Sequence, residues 1–564
     1  MTTATAATDQ AAPLDVLLVD AALGPARRLL PDRSTARWAV ALARQPGVLT
    51  RRLAGLGAET ARILAGSSAV APARGDRRFQ DAGWSDNPVL RRALQLYLVT
   101  ARVADELVHD VDLEPRDQQR VRFLVDNLVA AAAPSNLPLV NPASAKAAID
   151  TAGLSLVRGG AQLARDLGSA PRVPEMVDGS GFAIGENIAA TPGAVVLRTE
   201  VLELIQYQPQ TATVSEVPLV MVPPTINKYY AIDLAPGRSL VEHGLRQGRQ
   251  VFVISWRNPD ARHAAWGFDT YVEAILRALD AVEEITGSGS TMLGGVCSGG
   301  ILASITAAYL AGIGRQDRLA GLFLAVTVID NHDAGTLSAL TSRRLATLAK
   351  QRSARQGYLD GKVLAEVFAW LRPGDLVWNY WVNNYLLGKR PPAFDILFWN
   401  ADTTRMTAGL HADFVDLAVE NALTRPGGLT VLGVPIDLGR VTVDSYVAAG
   451  IADHITPWEN CYRTTQLLGG ATRFVLSTSG HVAALVNPPG NPKATFHVND
   501  GETRTARDAR TWLAGTEQRQ GTWWADLDRW LADRCGDQRP AADQLGSVRL
   551  PVLAPAPGTY VFDR

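Results

Sequence analysis

A glycine-rich turn around Cys297 restricts the fold of this chain more than any other feature of its sequence. The apolar run Thr291–Leu293 leads into GGVCSGG at residues 294–300, and a helical pattern follows over Ile301–Leu310. A side chain that projects from so tight a strand-to-helix turn needs small neighbours, and glycines stand two positions before and after the cysteine. The pattern predicts a nucleophile elbow with a cysteine nucleophile, and the following helix N-terminus favours negative charge there.

The alternative for Cys297 is a small buried apolar residue beside glycines that are needed only for packing. The strand before it and the helix after it favour the elbow. The other two cysteines, Cys461 and Cys535, lack flanking glycines and are predicted to be structural. Their scatter fits neither a disulfide framework nor a zinc-binding spacing, so we expect a reducing cytoplasm, no metal and no cofactor.

An elbow nucleophile needs a base, and in α/β-hydrolases the chain order is nucleophile, acid, histidine. Asp453 follows a predicted strand in GIADHITPW, and His481 follows the next predicted strand in TSGHV. Both would therefore reach the carboxyl edge of a parallel sheet. His454 is the competing base, but its adjacency to Asp453 makes it a poor partner for that carboxylate. Cys297, Asp453 and His481 are the predicted triad.

An oxyanion hole requires two backbone N–H groups, one of them from the residue after the nucleophile. Ser298 supplies that first donor. The predicted strand 217–222 leads into PPTINKYY, so the N–H of Ile226 is the candidate for the second donor. The alternative for this stretch is a proline-stiffened turn without a catalytic part.

The pattern of the chain predicts an α/β-hydrolase fold preceded by a helical domain. Residues 1–180 are predicted to be helical, with one apolar helix face formed by Val89, Leu90, Ala93, Leu94, Tyr97, Leu98, Ala101 and Leu107. In residues 181–564, short β-branched runs alternate with helices, which indicates a parallel sheet. The predicted strands are 217–222, 250–256, 322–328, 446–449 and 473–477. The aromatic-rich stretch from about 329 to 441 is too long for a loop and is predicted to be a cap insertion.

Charge and termini exclude several classes of function. The chain carries 55 basic and 56 acidic residues, which gives no reason to expect nucleic acid or an anionic membrane as a partner. The start MTTATAATDQ lacks the basic and apolar regions of a secretory signal, and no apolar run reaches the roughly 20 residues that span a bilayer. We therefore expect a cytoplasmic protein that does not span a membrane.

Five motifs in chain order resemble those of polyhydroxyalkanoate synthases. They are PPTINKYYAIDL, FVISWRNPD, GVCSGG, GIADHITPW and SGHVAALVNPPGNPKA. The resemblance implies Cys297, Asp453 and His481 as the triad and Ile226 and Ser298 as oxyanion donors. RRFQDAGWSDNP and the ending PGTYVFDR resemble the medium-chain group, whereas INKYYAIDL resembles the short-chain group, so monomer length stays open with medium-chain monomers favoured.

The resemblance also implies an activity and partners. The family transfers (R)-3-hydroxyacyl groups from coenzyme A onto a growing polyester through an acyl-cysteine, so the acyl-CoA is a substrate and not a cofactor. Expected partners are a second copy of the chain and granule-associated proteins, and the expected location is the polyester granule surface. Trp399 matches a tryptophan linked with dimer formation. The alternatives are a cysteine-dependent thioesterase or lactone hydrolase and a granule-binding protein without activity.

Overall fold

A computed structural model of the chain describes residues 21–22, 30–331, 336–371, 373–453, 455–500 and 508–564. The first helices in the described ranges confirm the helical character predicted for the beginning of the chain. They are α1 (Arg33–Ala43), α2 (Pro46–Ala65), α3 (Gly83–Asp86), α4 (Pro88–His109), α5 (Pro115–Ala131), α6 (Pro142–Asp150) and α7 (Leu154–Gly168).

The apolar face predicted for α4 is only partly right. Leu94 is buried as expected, whereas Val89 is 70% exposed. Val99 and Val108 are buried instead, although the prediction left them out. Leu90, also in the first turn, packs against the neighbouring aromatic cluster, so this turn is covered on one side only. The buried stripe therefore lies on a face slightly rotated from the predicted one.

The central sheet lies between helices and carries the predicted strands at its centre. In chain order the strands are β1 (Gly193–Arg198), β2 (Leu202–Tyr207), β3 (Thr213–Ser215), β4 (Leu219–Val222), β5 (Val251–Trp256), β6 (Thr291–Val296), β7 (Leu319–Ala325), β8 (Tyr358–Leu359), β9 (Met406–Thr407), β10 (Thr430–Val431), β11 (Val434–Pro435), β12 (Ser445–Gly450), β13 (Thr472–Ser477), β14 (Thr495–Val498), β15 (Glu517–Gln520), β16 (Gln538–Pro540) and β17 (Ala554–Pro555). Within the described residues the main sheet has the order β15-β14-β13-β12-β7-β6-β4-β5-β2-β1-β17.

The prediction of a parallel sheet holds for its centre and fails at its edges. The six neighbouring strands from β13 to β5 are parallel. The strands β2, β1 and β17 on one side and β14 and β15 on the other are antiparallel. An edge strand such as β15, EQRQ, needs no apolar face because it packs little, so its sequence gives no strand signal.

The remaining helices flank the sheet or belong to the insertion between β7 and β12. They are α8 (Leu240–Arg246), α9 (Phe268–Thr286), α10 (Ser298–Gly312), α11 (Thr336–Gln356), α12 (Gly361–Leu371), α13 (Asp395–Ala401), α14 (Ala408–Glu420), α15 (Trp458–Leu467), α16 (His481–Leu485), α17 (Ala509–Ala514) and α18 (Trp524–Ala532). The predicted final amphipathic helix is α18, and it buries Trp524, Leu527, Trp530 and Leu531. Trp523 just before it stacks near Phe323 and Tyr446 of the sheet. Among the described residues, no helix is long and apolar enough to cross a membrane.

The segment between β7 and β12 is an insertion with its own secondary structure, in line with the predicted cap, whose bounds of about 329 to 441 stay a prediction. It contains α11 to α14, the small strands β8 to β11 and two π-helical turns, Gly374–Trp378 and Trp381–Leu386. The second turn packs against the N-terminal helices: Trp381 donates to the carbonyl of Asn136 over 3.1 Å, and the hydroxyl of Tyr385 donates to Asp166 over 2.7 Å. The predicted boundary near residue 180 stays a prediction.

Candidate active site

The turn between β6 and α10 has the backbone of a nucleophile elbow. Cys297 has φ +52° and ψ −123°, a conformation that costs a non-glycine residue of order 1–3 kcal/mol. Its N–H donates to the carbonyl of Ala325 over 2.9 Å. A Cβ on Gly295 would lie 2.6 Å from the Cα of Gly300, and one on Gly299 would lie 2.3 Å from the carbonyl oxygen of Val222. The glycines are required by close approach, which confirms the predicted elbow.

His481 lies beside the nucleophile at the start of α16, which follows β13. The thiol of Cys297 lies close enough to its imidazole to raise the pKa of that ring. The ring Nδ1 lies 2.7 Å from Oδ2 of Asp453, which follows β12. The structure therefore brings the three residues predicted as the triad together in the order thiol, imidazole, carboxylate, with a hydrogen bond between the imidazole and the carboxylate.

The Asp453–His481 pair is buried, with the two side chains 0% and 10% exposed. Burial lowers the pKa of His481, but the attraction of the Asp453 carboxylate outweighs it and raises that pKa to about 10. Burial raises the pKa of Asp453, yet His481 and Thr456 together hold it below its ordinary value. An ionised carboxylate beside an imidazolium is the favoured state, and an imidazolium stabilises a neighbouring thiolate.

Thr456 is a site residue that the sequence reasoning missed. Its N–H donates to Oδ1 of Asp453 over 2.9 Å, and its hydroxyl lies 3.1 Å from Nδ1 of His481. That hydroxyl also donates to Oδ2 of Asp453. The N–H of Ile455 also donates to Oδ1 of Asp453, over 2.8 Å. The signal available in the sequence was a threonine three residues after an aspartate, a spacing typical of side-chain-capped turns.

The two predicted oxyanion donors lie on segments that are tied together. Oγ of Ser298 accepts from the N–H of Thr225 over 3.0 Å, which joins the elbow to the loop after β4. The carbonyl of Ile226 accepts from the N–H of Thr404, and the carbonyl of Thr225 accepts from its hydroxyl, both over 3.0 Å. Across the described ranges, the N–H groups of Ile226 and Ser298 have no acceptor. Both are free to bind a substrate oxygen.

Of the other cysteines, Cys461 lies next to the site, where its thiol donates to the carbonyl of Thr456 over 3.8 Å. Cys461 and Cys535 are both buried, and burial raises the pKa of each thiol. A thiol whose pKa is raised is a poor nucleophile, which agrees with the prediction that both are structural. The competing base His454 lies outside the described residues.

Trp399 lies in α13 of the insertion and is 6% exposed. Its indole N–H donates to the carbonyl of Lys228 over 2.7 Å, directly after the loop that carries Ile226. The tryptophan that the resemblance linked with dimer formation therefore contacts the oxyanion loop of its own chain.

Comparison with known proteins identifies the family. A family model for the poly-beta-hydroxybutyrate polymerase (PhaC) N-terminus matches residues 75–244, and one for the alpha/beta hydrolase fold matches residues 218–488. Poly(3-hydroxyalkanoate) polymerase 2 of Ectopseudomonas oleovorans is 44% identical over 92% of this chain and 92% of its own. This chain belongs to the poly(3-hydroxyalkanoate) polymerase family. The PhaC subunit of Cupriavidus necator is 40% identical over 86% of this chain and 83% of its own.

Two solved structures are similar to about half of this chain. A hydrolase from Pseudomonas aeruginosa covers 52% of this chain and 92% of its own at 17% identity, with a TM-score of 0.32. The thioesterase domain of the curacin biosynthetic pathway covers 52% and 95% at 12% identity, with a TM-score of 0.30. Family membership makes the chain an acyltransferase of polyhydroxyalkanoate synthesis and decides against a hydrolase.

Proposed function

We propose that this polymerase converts (R)-3-hydroxyacyl-CoA into a polyester through an acyl group held on Cys297. The observation that carries the proposal is the row Cys297, His481 and Asp453 at the elbow, with Nδ1 of His481 2.7 Å from Asp453. The nucleophile and the proton carrier are both side chains, so the proposed reaction uses no cofactor and no metal.

In the acylation step, the proton of Cys297 lies on His481 in a thiolate–imidazolium pair, and the thiolate attacks the carbonyl carbon of the acyl-CoA. The oxygen of the tetrahedral intermediate accepts hydrogen bonds from the N–H groups of Ile226 and Ser298. The intermediate collapses as the carbon–sulfur bond to coenzyme A breaks, and the imidazolium returns the proton to the leaving thiolate. One thioester replaces another, so the acyl group stays activated for the next transfer.

In the elongation step, the 3-hydroxyl group of an incoming monomer attacks the acyl-Cys297 carbonyl. His481 accepts the hydroxyl proton, an ester bond forms, and the Cys297 thiolate leaves and is reprotonated. The lengthened chain on coenzyme A then returns to Cys297 and releases free coenzyme A. The contact of Asp453 with Nδ1 supports a role in orienting and charging the imidazole; direct activation of the 3-hydroxyl group by Asp453 is the alternative role.

The direct experiment compares Cys297→Ala with Cys535→Ala as a matched control for loss of a thiol. Each protein is incubated with (R)-3-hydroxyacyl-CoAs of several chain lengths, and thiol release and insoluble polyester are measured. Cys297→Ala is expected to lose both signals, whereas Cys535→Ala keeps them. Turnover by Cys297→Ala would contradict the covalent mechanism, and release of free acid without polyester would contradict polymerisation.

We further propose that the protein works in the cytoplasm at the surface of the polyester. Helix α7 exposes Leu154 and Val157 at 53% and 69%, next to Ile149 at 80%, and adjacent exposed apolar side chains favour an apolar surface. Val157→Ser combined with Leu154→Ser is expected to lower the share of protein that sediments with polyester granules. Val548→Ser is the control because Val548 is fully exposed and does not belong to α7. Unchanged sedimentation would exclude α7 as the attachment site.

A homodimer and granule-associated proteins are the remaining proposed partners. Family membership supports the dimer, while the buried indole of Trp399 argues that any contribution of this residue passes through Lys228 and not through direct contact. Light scattering during size-exclusion chromatography of the wild type is expected to give twice the chain mass. A single-chain mass at all protein concentrations would contradict the dimer.

A further inference from the structure

The ending PGTYVFDR has no part in the chemistry described so far, yet it packs against the loop that carries Ile226. Nζ of Lys228 donates to the carbonyl oxygens of Tyr560 and Asp563 over 3.0 and 2.8 Å. Lys228 is only 3% exposed. A buried ammonium group needs such partners, because an unpaired one loses its hydration without compensation.

The segment 558–564 is itself fixed to the sheet. Glu203 of β2 is fully buried and accepts from the N–H groups of Thr559 and Tyr560 over 2.8 and 2.9 Å. It also accepts from the hydroxyl of Thr559 over 2.8 Å. Gly558 has φ +80°, and a Cβ there would lie 2.3 Å from Oε2 of Glu203. The segment is held by a buried carboxylate at a position that only glycine fits.

The backbone of Lys228 is held as well as its side chain. Its carbonyl accepts from the indole of Trp399 over 2.7 Å. Its side chain lies between the segment and the loop, two residues after Ile226. Burial lowers the pKa of Lys228 to about 8 despite the nearby Asp402 and Asp563, so the ammonium group depends on its two carbonyl partners.

We propose, on the basis of the proposed function, that Lys228 and the segment 558–564 position the N–H of Ile226 for the oxyanion. The connection runs from Glu203 through the backbone of Thr559 and Tyr560 to the ammonium group of Lys228. This connection holds the loop from the ending of the chain, and Thr404 holds the same loop from the insertion. Lys228 acts as a positioning residue, and the ending of the chain belongs to the oxyanion machinery.

The test on the lysine side is Lys228→Met, with Lys146→Met as control because the Lys146 side chain is 73% exposed. Thiol release from (R)-3-hydroxyacyl-CoA is measured over a range of substrate concentrations. We expect kcat to fall at least about tenfold with KM within about threefold, because the oxyanion forms only after binding. The control keeps the wild-type kcat.

Alkylation of Cys297 by iodoacetamide separates positioning from general damage. This displacement forms no tetrahedral oxyanion, so its rate reports the fold and the Cys297–His481 pair but not the oxyanion hole. An alkylation rate within about twofold of wild type is expected for Lys228→Met. Loss of alkylation in parallel with kcat, or an unchanged kcat, would overturn the proposal. A wild type that releases no thiol would instead refute the proposed function.

The test on the segment side is Gly558→Ala, which forces the segment away from Glu203. Gly433→Ala is the matched control, since Gly433 has φ +77° and a Cβ there meets nothing within 4 Å. Gly558→Ala is expected to lower kcat at unchanged KM and alkylation rate, as Lys228→Met does, while Gly433→Ala keeps kcat. This second variant decides the matter if Lys228→Met does not fold: wild-type kcat in Gly558→Ala would then overturn the proposal.

Discussion

Single residues of the site differ in how far the sequence predicted them. Cys297 could be predicted because its glycines are a local steric requirement, and Asp453 and His481 because each follows a strand in a fixed chain order. Thr456 could not, because its role comes from a hydroxyl that meets both Asp453 and His481 only after the chain folds. A steric requirement within a turn can be predicted from the neighbouring residues, whereas a hydrogen bond between residues that are distant in the sequence cannot.

Thr456→Val should lower kcat about tenfold, because it removes a hydrogen bond to a charged group that orients the triad, of order 1.5–3 kcal/mol. Thr464→Val is the control: Thr464 is buried as well, but its hydroxyl has no partner within the described residues. Its replacement should leave kcat unchanged. Steady-state thiol release checks both variants, and equal activities of the two would show that the Thr456 hydroxyl does not orient the triad.

The titration of His481 should depend on Asp453. In the wild type its pKa is raised to about 10, so the imidazolium stabilises the folded state fully below the ordinary value near 6.5. That stabilisation is lost as the pH rises through about 10. In Asp453→Asn the attraction of the carboxylate is lost, while burial, which lowers the pKa, and Cys297, which raises it, remain, so the pKa should fall well below 10. Nuclear magnetic resonance of ¹⁵N-labelled histidines, assigned with His481→Gln, measures it; an unshifted pKa in Asp453→Asn would contradict the ion pair.

At the scale of secondary-structure elements, buried central strands were predictable and edge strands were not. β5 and β13 are apolar on both faces because helices cover the sheet on both sides. β15 lies at the edge and consists of polar residues, so nothing in it distinguishes a strand from a loop. Pairing with β14 fixes its conformation, and this pairing is visible only in the folded protein.

The junction of β6 and α10 should not tolerate a methyl group at Gly299. Gly299→Ala brings a Cβ to 2.3 Å from the carbonyl of Val222 and 2.4 Å from that of Pro223. The elbow and the oxyanion loop must then separate, and a displacement of about 1 Å costs about 100-fold in kcat. Gly289→Ala, in the loop before β6 where a Cβ meets nothing within 4 Å, should keep kcat. Thiol release by the folded variants tests the contrast, and a fully active Gly299→Ala would refute the steric argument.

For the whole molecule, the N-terminal helices and the insertion form one packed interface. α7 lies so close to the second π-helical turn that a Cβ on Gly159 would fall 1.8 Å from the carbonyl oxygen of Tyr385. Ser144 of α6 donates to the carbonyl of Leu386 over 3.3 Å. These contacts join segments that are more than two hundred positions apart. The sequence predicted both segments but gave no periodicity that could pair them.

Gly159→Ala should lower stability by about 1–3 kcal/mol, because it forces α7 away from the insertion. Gly160→Ala is the matched control on the same helix, where a Cβ meets nothing within 4 Å. It should raise stability by about 0.5–1 kcal/mol, as alanine favours a helix over glycine. Thermal unfolding of the two variants measures the difference. Equal melting temperatures would show that the interface adapts at no cost.

The two hydrogen bonds of Thr404 connect the position of the insertion, which controls access of the substrate, with the position of the oxyanion donors. If the insertion moves away to admit an acyl-CoA or a long polymer, the carbonyls of Thr225 and Ile226 lose the partner that fixes the amide between them. An opened enzyme would thus keep its sulfur nucleophile but would no longer hold the N–H of Ile226 in place to bind the carbonyl oxygen of the substrate. Water that entered at that moment would meet an acyl group that the two N–H donors do not polarise, and hydrolysis of the growing polyester would then be slower than in the closed enzyme.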